Sequence, residues 1–399
     1  MTVLLIAYHF PPDAAIGGAR PFRFARYLRR LGHRCVVITA APPTGEDVIH
    51  VVDPLRDAPR KGIPFQVERI CWKFFVRGDV RLAWSDAAFR AGRKFLDTNR
   101  GESVTLLSTA PPIGTHLAAW RLARYSGCRW VADFRDPLHL PGAESATIPA
   151  VAPALERLVV QAADLVIANT DAMGAMWERT YPEQQKKLRV LWNGYDPEDQ
   201  IPQLPVPVRD CRLLSHVGEL YGGRDIRPVL LAAGQLVESG AVAPGTLKIR
   251  QIGPADATEL PPQAFTDQAV AAGWFELRPP VKPAEARKLA MESDGLLLLQ
   301  PQSAVQVPGK LFEYLRMGRP IFAYVVRDSP VMRILQNAGV PFEAVFPGDG
   351  PEVIAVALQR FLSKLQRGPV PPSAWFEENF EASRQALTLS SLLEPGIAL

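Results

Sequence analysis

Twice along this chain, on either side of one Pro-rich break, short apolar runs without polar alternation are each followed by a segment of helical period. A strand that is apolar on both faces must be covered on both faces, as in a parallel sheet between two layers of helices. In the first series residues 3–8, 34–39, 104–108, 129–133, 164–168 and 188–192 read as strands, and residues 20–31, 113–125, 152–162 and 171–180 as helices. In the helix over 20–31, Phe24, Leu28 and Leu31 share one face while Arg23, Arg26 and Arg30 fall on another.

The break is NGYDPEDQIPQLPVPVR, residues 193–209, rich in Pro and acid and without an apolar period, as a linker is. Beyond it the pattern resumes, with strands over 213–217, 247–252, 274–277, 295–299, 321–325 and 342–345. The helices of this series read as 226–238, 283–292, 309–317, 329–337 and 351–366. A chain of 399 residues exceeds what one hydrophobic core usually supports. The two series therefore predict an α/β architecture of two Rossmann-like parallel-sheet domains facing each other across a cleft. Their predicted limits are 1–195, a linker over 196–210, a second domain over 211–370, and a helical segment over 371–399 packing back toward the first domain. Ligands of such sheets bind beyond the carboxyl ends of the strands, so the chemistry belongs in the loops that follow them.

Composition narrows the function. Apolar content of 47% and charged content of 22% exclude a disordered chain. No stretch approaches the roughly 20 apolar residues of a spanning helix, and the opening residues MTVLLIAYHFPPD lack the basic flank and cleavage site of a signal peptide, so a cytoplasmic location is expected. Cys35, Cys71, Cys128 and Cys211 are scattered singly, against a disulfide framework or structural zinc. The net charge of +4 is uneven: residues 1–130 hold 20 Lys and Arg against 10 Asp and Glu, which suggests a surface that meets something anionic. Within it RICWKFFVRGDVRLAW, residues 69–84, interleaves Trp72, Phe74, Phe75 and Trp84 with Lys73, Arg77 and Arg81. Such a segment either makes a peripheral contact with an anionic bilayer or is half-buried with snorkelling cations. No recognised nucleic-acid motif is present, so nucleic acid is not an expected partner.

Three loops carry candidate binding residues. Gly17 and Gly18 lie between the first strand and the first helix, where absent side chains let backbone N–H groups approach an anion, although a plain flexible loop explains them equally. The GxGxxG spacing of a dinucleotide site is absent. HVGELYGGR, residues 216–224, places Gly222, Gly223 and Arg224 between a strand and a helix, and an arginine fork there matches phosphate oxygens. QVPGKLFEYLRMGRP, residues 306–320, opens a short helix with Pro308, Gly309 and Lys310 and ends it with Gly318 and Pro320. A cation in a first turn opposes the helix dipole unless an anion binds there, so Lys310 is either a phosphate contact or a solvated surface residue. Glu313, one turn in, either accepts hydrogen bonds from the vicinal hydroxyls of a sugar or is an exposed helical carboxylate.

FPP…GG…R in residues 10–20, VADFRDP in 131–137, ADLVIANT in 163–170, LWNGYD in 191–196, HVGELYGGRD and VPGKLFEYLRMGRP resemble, in order, the signatures of glycosyltransferase family 4, especially its bacterial cell-surface polysaccharide branch. The resemblance implies a GT-B fold, with a nucleotide-diphosphate sugar held mainly by the second domain and the acceptor by the first. By position, Arg224 and Lys310 would meet the diphosphate, Glu313 the ribose hydroxyls, Gly17 and Gly18 the diphosphate from across the cleft, and backbone over 277–281 the base. The donor would be of UDP or GDP type and the acceptor a saccharide or lipid-linked saccharide, with retention at the anomeric carbon, no metal or other cofactor, and a place at the inner face of the plasma membrane.

The sequence departs from the family at two places. Val305 stands where relatives often carry a Glu eight residues before the one matching Glu313, and Arg135 stands where many have a catalytic His. Arg135 can neutralise charge but is no general base, which leaves the flanking Asp133 and Asp136 as acid/base candidates or, equally, as partners of an Asp–Arg pair that orders the loop. A sugar-nucleotide epimerase, and a degenerate binding or scaffold subunit that has kept the fold without turnover, are the alternative expectations.

Overall fold

The computed structural model of the chain describes residues 1–12, 16–54, 66–67, 81–138, 151–201, 205–365 and 368–394. It forms two compact units, one of Met1–Pro197 with Asn379–Leu399 and one of Glu198–Glu378.

The first unit has a seven-stranded sheet of β1 (Thr2–Ile6), β2 (Arg34–Thr39), β3 (Val48–His50), β4 (Val104–Ala110), β5 (Trp130–Phe134), β6 (Leu165–Ala168) and β7 (Leu188–Val190). Their order is β3-β2-β1-β4-β5-β6-β7, with every pair parallel. β1, β4, β5 and β6 are buried at every residue, which is why their sequences show no polar alternation. The covering helices are α1 (Ala19–Arg30), α2 (Leu82–Thr98), α3 (Gly114–Ser126), α4 (Val151–Ala162) and α5 (Asp171–Thr180). The strand order reverses between β1 and β4, so the loops after these two strands diverge and open a crevice.

The second unit repeats this plan with β8 (Arg212–Val217), β9 (Leu247–Ile252), β10 (Phe275–Arg278), β11 (Gly295–Gln300), β12 (Ile321–Val325) and β13 (Phe342–Val345), ordered β10-β9-β8-β11-β12-β13. Its helices are α6 (Arg227–Glu238), α7 (Gln263–Ala271), α8 (Pro283–Met291), α9 (Gly309–Met317), α10 (Pro330–Asn337) and α11 (Pro351–Ser363). Leu214, Ile249, Leu297 and Phe322 from the sheet pack with Val229, Ala233, Leu358 and Phe361 from α6 and α11. The reversal here falls between β8 and β11.

Two further helices follow, α12 (Ala374–Phe380) and α13 (Ala382–Leu393). α13 belongs to the first unit: Ala382 and Ala386 pack on Tyr27 of α1, and Leu389, Leu392 and Leu393 join Phe24 and Leu28 in the core. The described residues of 196–210 hold no helix or strand, and those from Glu198 on group with the second unit. Among the described residues no helix is long and apolar enough to cross a membrane.

Candidate functional site

In the first unit the crevice between the β1 and β4 loops is organised by two arginines. Arg20, in the first turn of α1, is enclosed and turns its Nε and Nη2 onto both oxygens of Asp133 at 2.7 to 3.2 Å. Its remaining N–H groups donate to the carbonyls of Leu191 and Trp192. Asp133, near the end of β5, is fully buried and also accepts from Thr109 Oγ1 at 2.8 Å. The ordering ion pair anticipated for this loop thus exists, with Arg20 rather than Arg135 as its cation, and it leaves the Asp133 carboxylate enclosed.

Arg135 instead straps the loops together. Its Nη1 donates to Gly17 O at 2.6 Å, its Nη2 to Pro111 O, and its Nε to Ala110 O at 3.2 Å, so one guanidinium from the loop after β5 ties the loops after β1 and β4. Burial and the nearby Arg20 lower its pKa, opposed by Asp136 and Asp133. Gly17 is required by this approach, because a Cβ there would lie 2.7 Å from Arg135 Nη1 and 3.0 Å from His9 Cδ2. Gly18 is buried against the backbone of Phe10, and Asp136 is half-exposed beside Arg135. Behind this loop Trp130 Nε1 donates to Ser108 Oγ at 2.8 Å, and that hydroxyl shares a hydrogen bond of 2.7 Å with His116 Nδ1. Enclosure holds His116 neutral, with its pKa pushed down to about 3.

In the second unit the site forms at the β8/β11 reversal. Lys310, in the first turn of α9, is partly buried and turns inward: its Nζ lies 2.9 Å from Nε2 of the fully buried His216 at the end of β8. His216 Nδ1 lies 2.6 Å from Gln251 Oε1 on the neighbouring strand β9. Gly218 has φ +130°, and a Cβ there would come within 2.6 Å of Lys310 Nζ. Burial, and after it the charge of Arg224, push the Lys310 pKa down to about 7. The Arg224 guanidinium stacks over Tyr221, 4.6 Å from the ring centroid. Among the described residues no carboxylate pairs with either cation. α9 starts after Pro308 with no side-chain cap and no acidic residue in its first turn, and space around Gly309 is open. Two cations without a carboxylate partner thus stand beside an uncapped helix N-terminus, an arrangement that favours an anion.

The turn before α6 differs from the sequence expectation. α6 begins at Arg227 and not directly after Arg224, and Asp225 accepts from the Arg227 N–H at 2.8 Å, so that helix start is already supplied with a negative charge. Gly222 and Gly223 make the turn, but the Gly223 N–H donates to Glu259 Oε1 at 2.8 Å and is not free for an anion. A cavity of about 390 Å³ behind the turn is lined by Gly223, Asp225, Thr258, Glu259, Gln302 and Tyr324. Glu313 is exposed on α9, 3.5 Å from Arg287 Nη2, whose fork is engaged with Asp199. In the stretch over 277–281 Leu277 is exposed and the Arg278 carbonyl accepts from Gly253 N. Val305 follows Ser303, whose hydroxyl accepts from the Val305 and Gln306 N–H groups.

Residues 69–80 of the basic-aromatic segment lie outside the described residues. Of its last members, Trp84 is fully buried and donates to Val51 O, and Arg81 is partly buried and pairs with Asp53 at 3.0 Å. Among the described residues no cluster of three or more His, Cys, Asp or Glu is placed to hold a metal. The sequence reading passed over His216 and Gln251. Their signal is a polar residue near the carboxyl end of each of the neighbouring strands RLLSHV and LKIRQI, at positions that face each other in the β8–β9 register.

Residues 20–199 match the family model described as Glycosyltransferase Family 4. No curated protein matches the chain. Solved structures share its two-unit GT-B fold over nearly their whole length. Sucrose-phosphate synthase from Thermosynechococcus elongatus has a TM-score of 0.65 at 14% identity, covering 98% of each chain. Anabaena HepE in complex with UDP and glucose has 0.61 at 14% identity, covering 98% of this chain and 99% of that one. The E. coli trehalose-6-phosphate structure bound with UDP-2-fluoro glucose has 0.60 at 13% identity, covering 99% and 96%.

Proposed function

We propose that this chain, with its GT-B fold and its family 4 match over residues 20–199, is a glycosyltransferase that moves a sugar from a UDP- or GDP-type donor to a saccharide or lipid-linked saccharide in surface polysaccharide synthesis. The observation that carries the reading is the pair Arg224 and Lys310, two cations without a carboxylate partner at the uncapped start of α9. Departure of a nucleoside diphosphate concentrates negative charge, and preorganised cations and helix N–H groups stabilise it without reorganisation. The reading assigns that charge to Arg224, Lys310 and the α9 N-terminus, the ribose hydroxyls to Glu313 and the base to backbone over 277–281. It requires no divalent metal. The first unit supplies the acceptor surface around the loop that Arg135 holds, in the cytoplasm at the inner face of the membrane, and the anomeric configuration is retained.

The similar folds of HepE with UDP and of the E. coli enzyme with a UDP-sugar analogue support a UDP-type donor. A thermal-shift screen across UDP-, GDP-, ADP- and dTDP-sugars tests binding, and transfer of labelled sugar from the stabilising donor to a membrane extract tests the reaction. Donor without acceptor should stay unchanged, and its epimerisation would sink the transferase reading in favour of an epimerase. One observation favours a second reading, a sugar-nucleotide-binding subunit without turnover: Asp133 is enclosed by Arg20 and Arg135 is spent on three carbonyls, so neither offers acid/base chemistry. Tight donor binding with no transfer to any extract fraction would establish that reading instead.

A further inference from the structure

We propose that Gln251 and His216 are positioning residues for Lys310, fixing its Nζ against Gly218 so that a diphosphate bound there draws a proton onto it. The inference rests on the diphosphate reading of this site and adds to it a proton and the residues that control it.

Hydrogen-bond chemistry sets the direction of the chain. The Gln251 amide nitrogen donates to Gly218 O at 2.8 Å and Gly253 O at 3.3 Å, and carbonyls can only accept, so Gln251 Oε1 faces His216. At 2.6 Å from that oxygen, His216 Nδ1 must carry the hydrogen. Nε2 is then a bare lone pair, and the group hydrogen-bonded to it is Lys310 Nζ, a donor. The opposite tautomer would set a bare Nδ1 lone pair against Gln251 Oε1, acceptor against acceptor. His216 and Gln251 are partners in the β8–β9 register, so the sheet itself holds them together.

The electrostatics follow from what faces the amine. His216 comes from β8 and Arg224 from the turn after it; the first is kept neutral by burial and the second is a fixed cation. Without an anion, enclosure and Arg224 both disfavour the ammonium, and Lys310 is pushed down to about 7. A diphosphate placed between Lys310 and Arg224 reverses the balance and restores the charge. A lysine on the surface would already be charged and would take up nothing.

The test is calorimetric titration of the full chain with UDP-glucose or GDP-mannose, whichever binds; their diphosphates carry no group that titrates between pH 6 and 9. Run in buffers of different ionisation enthalpy, the wild type should take up about half a proton at pH 7 and approach one at pH 8, with an affinity loss of about fivefold between them. Lys310→Arg should bind without uptake and with affinity flat in pH. Gln251→Leu and His216→Leu should each lose about tenfold at pH 6.5, and His216→Gln, whose Oε1 restores an acceptor, should recover most of it. Binding without proton uptake in the wild type, or folded leucine variants that bind as the wild type does, would overturn the inference and leave the diphosphate reading standing. If neither nucleotide sugar binds at any pH, the diphosphate reading itself fails.

Discussion

Among the described ion pairs, the one between Arg20 and Asp133 is the most enclosed: Nη2 lies 2.7 Å from Oδ1, with the side chains 3% and 0% exposed. Removing one partner strands the other's charge in a dry site. Asp133→Ala should therefore cost about 3 to 5 kcal/mol, read by urea denaturation through the buried Trp84, Trp130 and Trp177 of the same unit. The double variant Asp133→Leu with Arg20→Met should recover part of that loss, because no charge is left unpaired.

Gly17 and Arg135 should not act independently. Gly17→Ala sets a Cβ 2.7 Å from Nη1 and should destabilise by about 1 to 3 kcal/mol. In an Arg135→Ala background the same change loses the guanidinium clash and keeps only the 3.0 Å approach to His9 Cδ2. A double-mutant cycle should show a coupling of about 1 kcal/mol or more, and additive effects would mean that the guanidinium does not strap the loop.

Arg224→Ala and Lys310→Met should each weaken nucleoside diphosphate binding by about 10- to 100-fold, the worth of a charge-assisted contact of 1.5 to 3 kcal/mol. Binding of the uncharged nucleoside should change little. Because Arg224 helps depress Lys310, Arg224→Ala should also move the pH at which affinity falls upward.

If Glu313 grips vicinal ribose hydroxyls, Glu313→Ala should lower the affinity for UDP about tenfold and leave that for 2′-deoxy-UDP nearly unchanged. Equal losses for both nucleotides would assign the side chain to its 3.5 Å contact with Arg287.

His116 makes the first unit acid-sensitive. Its folded pKa of about 3 lies below the ordinary 6.5, so the unfolded chain takes the proton first as pH falls. The stability it confers is fully present above pH 6.5 and is lost downward from there at about 1.4 kcal/mol per unit. Urea melts at pH 4.5 to 7 should show that slope, and His116→Phe should flatten it.

The parallel sheets were legible because burial on both faces writes itself as unbroken apolar runs such as TVLLI and GLLLLQ. α2 escaped because the face it buries is Trp84, Ser85, Ala88, Gly92 and Leu96, in which only Trp84 and Leu96 are large and apolar and the residues between them are small, so the apolar period is faint. β3 escaped as a three-residue strand at the sheet edge. At the site, Arg224 and Lys310 could each be found as a cation beside glycines within its own short stretch of sequence. The support of Lys310 could not, since His216 is 94 residues away and Gln251 lies on another strand. Asp133 was likewise paired with its sequence neighbour, whereas its cation is 113 residues distant.

α13 completes a core that β1 begins, so the second unit is spliced into the middle of the first. A ribosome must then release the whole inserted unit before the last helix can reach Tyr27 and Leu28. The order of birth and the order of completion are opposed: the unit synthesised first is the last to close. A nascent chain stalled after Pro197 should hold its strands with one seam unsealed, a natural handle for chaperones until α13 arrives.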